Sequence, residues 1–106
     1  MDNDELNHHV LRHLQDRPNV TQRQLAKKFG ISLGKVNYCL RALIARGLVK
    51  VNNFRDSSNK TAYMYLLTRK GLAQKSRSTA QFLQRKMAEY EALQREIERL
   101  RKEVMK

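Results

Sequence analysis

The sequence predicts a mainly α fold with a small β-hairpin: three short helices, the hairpin, then one long helix. Three observations predict it. Capping residues and glycines bracket two short amphipathic segments between Thr21 and Gly47. Two runs rich in β-branched and aromatic residues, 48–54 and 62–67, flank the polar stretch 55–60. From Thr68 to Met105 no proline occurs and Gly71 is the one glycine, so little would interrupt a helix there.

The first helix is expected from Asp2 to about Gln15. Its acids fall in the first turn, where the helix dipole favours them, and Leu6, Val10, Leu11 and Leu14 form its buried stripe. His8, His9 and His13 share this helix. The 9/13 spacing suits chelation, but no Cys, Asp or Glu nearby completes a ligand set. Solvated histidines are the expectation, with no metal and no cofactor. Pro18 then forces a turn.

Thr21 and Gln24 have the spacing of a capping box, and Val20 and Leu25 that of a hydrophobic staple. Leu25, Ala26 and Phe29 make the second helix's apolar stripe, and Gly30 suits a left-handed helix end. Ser32 caps a third helix over about 33–46. Val36, Leu40, Leu43 and Ile44 mark its buried face. Gly34, Tyr38, Arg41, Ala42 and Ala45 lie opposite, flanked by Lys35 and Asn37. Cys39 sits at the edge of the stripe and reads as core filler. A redox switch there would have no resolving cysteine in the chain. Gly47 ends the helix.

Strands at Leu48–Phe54 and Ala62–Leu67 make a hairpin over about 48–67. Two roles stand for it: a cover for the core, or a wing along a DNA groove, with Arg55 and Lys60 at its basic tip. Thr68 caps the last helix, and Leu67 with Leu72 repeats the staple spacing. Arg69 and Lys70 in its first turn oppose the helix dipole unless a phosphate docks there.

Two domains are expected: 1–67, and the helix 68–106. At 1.5 Å per residue that helix is roughly 55 Å long, against about 28 Å for the body, so it should overhang. Leu83, Tyr90, Ile97 and Val104 recur every seven residues, with Leu93 and Leu100 at the other seam position. Met87 stands in where Lys86 breaks the seam. This spacing predicts a coiled-coil homodimer. In a parallel pair Glu96 would face Arg101 of the other copy, whereas an antiparallel pair would bring glutamates together, so parallel is expected.

The net charge of +12 is unevenly placed. Residues 1–16 carry a net −3, residues 17–86 sixteen Lys or Arg against Asp56 alone, and residues 87–106 five of each sign. A basic middle between balanced ends is a footprint for a polyanion. No apolar run approaches the roughly 18–20 residues of a membrane span, and no signal-peptide pattern opens the chain. One cysteine excludes an internal disulfide and suits a reducing cytosol, so a cytoplasmic protein is expected. No nucleophile–base constellation, metal cluster or phosphate-cradling glycine loop argues for an enzyme.

Three helices followed by a hairpin is the order of a winged helix-turn-helix. Ile31-Ser32 to Val49, through RALIARGLV, then the hairpin and LLTRKG at 66–71, resembles the winged-helix core of MarR-type transcriptional regulators, over roughly residues 5–72. The MAEYEAL run of the last helix is similar to that of short MarR-like regulators associated with bacterial exopolysaccharide gene clusters. Two departures stand out. Family members open with an extra dimerisation helix and close with two more, whereas this chain is expected to start at the winged-helix body and end with one helix, so inherited small-molecule sensing is not expected. Asn59-Lys60-Thr61 replaces the usual Asp-x-Arg of the wing, and Lys60 lacks the planar fork of arginine.

The sequence therefore points to a homodimeric, sequence-specific regulator of double-stranded DNA on an inverted repeat. Ser32, Gly34 and Lys35 would approach the DNA, while Asn37, Tyr38 and Arg41 are candidates for base edges. Thr21, Gln22, Arg23, Arg55, Lys60, Arg69 and Lys70 are candidates for the backbone. The alternative is a protein-interaction module whose basic face meets an acidic partner. RNA binding fits less well, because the basic face lacks clustered aromatics.

Overall fold

A computed structural model describes residues 2–55 and 61–106, with only the backbone described at 54, 55, 61 and 62. The order is α1 (Asn3–Asp16), α2 (Gln22–Phe29), α3 (Leu33–Ala45), β1 (Val49–Arg55), β2 (Thr61–Leu67) and α4 (Arg69–Val104). Two compact units result, Met1–Ser76 and Arg77–Lys106.

Each helix of the first unit starts where a side chain can satisfy its free N–H groups. The Asp2 carboxylate accepts from the Glu5 N–H at 2.7 Å, which places the start of α1 one residue later than the sequence suggests. At α2 both halves of the capping box form. The Thr21 hydroxyl accepts from the Gln24 N–H at 3.1 Å, and the Gln24 carboxamide oxygen from the Thr21 N–H at 2.8 Å. Ser32 caps α3 through the Lys35 N–H at 3.0 Å. Gly30 ends α2 in the left-handed conformation, at φ 64°, and Gly47 follows α3 at φ 74°.

Leu6, Val10, Leu11 and Leu14 of α1, Leu25 of α2, Val36, Leu40 and Leu43 of α3, and Leu48, Val49 and Tyr65 of the hairpin form one core. A fully buried aliphatic side chain of this kind contributes about 1.5–3 kcal/mol. Ile44 departs from the expected stripe: it is 36% exposed, while Cys39 is buried in its place. At 100° per residue Cys39 and Ile44 flank Val36, Leu40 and Leu43 on opposite sides of equally wide arcs, so spacing alone does not choose between them and the tertiary packing does.

β1 and β2 pair antiparallel, Val49 opposite Leu67, Val51 opposite Tyr65 and Asn53 opposite Tyr63. These pairs share one face, and that face leaves the core as the hairpin runs outward. Val49 is 2% exposed, Val51 37% and Tyr63 54%. The Tyr65 N–H donates to the Pro18 carbonyl at 2.9 Å, tying β2 to the α1–α2 turn. The expected loop at 55–60 lies outside the described residues, Arg55's backbone apart.

Thr68 caps α4 as expected, its hydroxyl accepting from the Gly71 N–H at 3.0 Å. The same hydroxyl donates to the Gly47 carbonyl at 2.6 Å, and the Thr68 N–H donates to the Leu48 carbonyl at 3.0 Å. Gly71 is buried so close to Leu48 that a Cβ there would run into that residue's carbonyl group. The Leu67–Leu72 staple is looser than its spacing suggests, with Leu67 half-buried and Leu72 exposed.

The histidines are the main correction. His8 is 6% exposed rather than solvated, and His9 and His13 are half-buried beside Phe29, with ring centroids 6.3 and 6.1 Å from it. Position 8 lies between Leu11 and the acidic first turn, and only the tertiary packing tells which way such a residue faces. Among the described residues no three metal-ligating side chains cluster, and no helix is long and apolar enough to cross a membrane.

In the second unit, Leu83, Met87, Tyr90, Leu93, Ile97, Leu100 and Val104 are 42–84% exposed in the single chain. Lys86 meets Glu89 at 3.2 Å, an exposed pair, and Gln94 Nε2 donates to Tyr90 Oη at 3.0 Å. Arg85 lies over the Phe82 ring at 5.2 Å.

Candidate nucleic-acid interface

α3 carries two opposed faces because its sequence alternates them at helical spacing. Val36, Cys39, Leu40 and Leu43 are buried and fix the helix in the core. Ser32, Gly34, Lys35, Asn37, Tyr38 and Arg41 are all exposed. Tyr38 is 69% exposed. A helix held from one side, with an amide, a phenol and a guanidinium on the other, can present donors and acceptors to base edges.

The starts of α2 and α4 supply candidate phosphate partners. Thr21 and Arg23 are exposed and Gln22 is half-buried at the start of α2, while Arg69 and Lys70 are exposed in the first turn of α4. Lys60 lies outside the described residues, and so does the side chain of Arg55.

Several of these candidates touch one another or residues the sequence did not single out. Asn37 Nδ2 donates to Gln22 Oε1 at 3.4 Å, and Gln22 Nε2 donates to Tyr65 Oη at 3.2 Å. Lys35 Nζ donates to Asn3 Oδ1 at 3.0 Å, which brings the start of α1 beside the first turn of α3. Leu33, outside the sequence candidates, is 45% exposed at the first position of α3. Its apolar type beside a Ser cap looks like a core residue in the sequence, so nothing there flagged it.

The titratable groups near this face are tuned by burial. Burial pushes the Cys39 thiol up, against a smaller opposing pull from Lys35, and the thiol donates to Asn7 Oδ1 at 3.1 Å. That agrees with a packing role. On α1, burial lowers His8, helped by repulsion from His9, Lys75 and Arg12. His13 is lowered by burial and by Lys28 and Arg17, with Asp16 opposing.

Three helices, the turn between α2 and α3, and the hairpin in this arrangement define a winged helix-turn-helix domain. Residues 3–50 match the family described as winged helix-turn-helix DNA-binding. Solved structures of the same fold include a point variant of ZitR from Lactococcus lactis, at 23% identity and a TM-score of 0.63 over 83% of this chain. FabT of Streptococcus pneumoniae in complex with DNA matches at 23% identity and 0.56 over 78%. The MarR family protein Rv2887 of Mycobacterium tuberculosis, in complex with salicylic acid, matches at 25% and 0.56 over 71%. The chain spans 57%, 56% and 54% of those three proteins. No curated protein sequence matches it.

Proposed function

We propose that the chain is a MarR-type transcriptional regulator that binds double-stranded DNA site-specifically as a homodimer. The observation that carries this reading is the exposed set Lys35, Asn37, Tyr38 and Arg41 on a helix whose other face is locked in the core. The fold it shares with FabT, solved in complex with DNA, supports the same role. Asn37 suits adenine, Arg41 suits guanine, and Tyr38 offers a hydroxyl and a ring for a thymine methyl. Thr21, Gln22, Arg23, Arg69 and Lys70 would contact phosphates, joined by Arg55 and Lys60 of the wing.

The homodimer forms through the seam Leu83, Met87, Tyr90, Leu93, Ile97, Leu100 and Val104, in parallel. The seven-residue spacing, the exposure of the seam in a single chain and the placement of Glu96 and Arg101 five positions apart on its flanks, where a parallel partner would pair them, support that occupant. Two-fold symmetry then places half-sites about 10 base pairs, or a multiple, apart. The narrower role, control of exopolysaccharide genes, rests on the resemblance of the last helix alone.

Selection of bound sequences from a random duplex pool tests the reading. An inverted repeat should emerge, with affinity falling steeply between about 50 and 200 mM salt. Binding to neither random nor selected duplex would sink it and leave the protein-interaction module. A site lying upstream of polysaccharide genes would carry the narrower role; its absence there would end it.

A further inference from the structure

We propose that Gln22 and Tyr65 are positioning residues that aim the Asn37 carboxamide at the adenine of one A·T pair in each half-site. This rests on the DNA-binding reading above and adds to it a specificity device that no single helix contains. Three elements contribute one side chain each: α2 its first residue, α3 an exposed flank residue, and β2 a residue of the core.

An exposed asparagine is a poor reader by itself. Its last torsion turns over a broad range, and its oxygen and nitrogen ends have opposite hydrogen-bonding character. A neighbour hydrogen-bonded to one end of the carboxamide narrows that freedom. Here Gln22 Oε1 takes one of the two Nδ2 hydrogens of Asn37, at 3.4 Å. The second Nδ2 hydrogen and Oδ1 stay available as an adjacent donor and acceptor. Adenine shows the complement in the major groove, N7 accepting and N6 donating.

Gln22 would be no guide if it swung freely. Its Nε2 donates to Tyr65 Oη at 3.2 Å, and Tyr65 is 8% exposed with its ring in the core. The Tyr65 backbone is held as well, by the ladder partner Val51 and by the bond from its N–H to Pro18. A contact of 3.4 Å is long, so Gln22 guides Asn37 and does not clamp it. The arrangement therefore predicts a graded effect on base preference.

The test uses the full-length protein and selection from a random duplex pool, followed by affinities for the selected site and for single-base variants of it. Asn37→Ala should flatten preference at one symmetry-related A·T pair. Tyr65→Phe keeps the ring and removes the hydroxyl. It should lower preference at that same pair by about two- to tenfold, the reach of one net hydrogen bond, with preference at other pairs and the salt slope unchanged. Combining Tyr65→Phe with Asn37→Ala should cost no discrimination beyond Asn37→Ala alone.

Normal preference at that pair in Tyr65→Phe, with Asn37→Ala still flattening it, overturns the relay and leaves the DNA reading standing. Equal loss at every pair in Tyr65→Phe makes the tyrosine a packing residue and also overturns it. A native protein that selects no site removes the DNA reading and the relay together.

Discussion

In the first unit Leu25, Leu40 and Leu43 are at most 1% exposed, whereas in the second Leu83, Leu93 and Leu100 are 50–59% exposed. Both sets are leucines at helical spacing, and both lie on helices. The difference is in what each stripe meets within one chain. α1, α2, α3 and the hairpin supply one another's apolar surface, so the first unit is complete in a single copy. The segment after Ser76 holds the same kind of stripe bare in the single chain, the pattern expected of a surface that a partner covers.

That contrast can be broken most sharply in the core. Leu43→Ala should cost about 2–5 kcal/mol in denaturant unfolding, by lost burial plus the cavity left behind. It should do so at any protein concentration. Leu93→Ala should instead leave the unfolding of the first unit in place and weaken self-association. A loss of about 2 kcal/mol of burial corresponds to roughly thirtyfold in Kd by sedimentation. An unchanged association constant would show that the seam is not the dimer contact.

A smaller effect separates capping from packing. Thr21→Ala removes the hydroxyl side of the capping box and should cost about 1 kcal/mol. Thr21→Ser, which keeps the acceptor, should recover most of it in the same unfolding experiment.

The mildest expectation concerns protons on His8. Its folded pKa is lowered by burial, so the unfolded chain binds the proton more tightly. The neutral form is the one that packs, and stability is complete above the unfolded value near 6.5. It declines as pH falls from there through the lowered folded value, and His13 adds to the same trend. His8→Gln should flatten part of this dependence in thermal unfolding between about pH 7 and 5.

Much of the fold was legible because its signals are local. The Thr21–Gln24 box, the Ser32 cap, the left-handed Gly30 and the hairpin each depend on residues within a few positions. The exposed face of α3 was legible for the same reason, as periodicity alone separates Tyr38 and Arg41 from Leu40 and Leu43. What sequence could not tell depends on distant partners. Burial of His8 comes from tertiary packing, and Ile44 sits one step beyond an arc that only the packed core delimits. The Gln22–Tyr65 contact joins positions 43 apart, and no local pattern announces it. The glycine at 71 stood out in the sequence, but its reason, the carbonyl of Leu48 pressed against it, is visible only in three dimensions.

The Thr68 hydroxyl gives to Gly47 and takes from Gly71 at once. A single oxygen thus knots the exit of α3 to the root of the long helix. A fragment ending at Leu67 would do more than shed a tail: it would untie that knot and fray α3 from its far end. One ending at Ser76 keeps the fastening whole, and is the piece to prepare when the first unit is wanted alone.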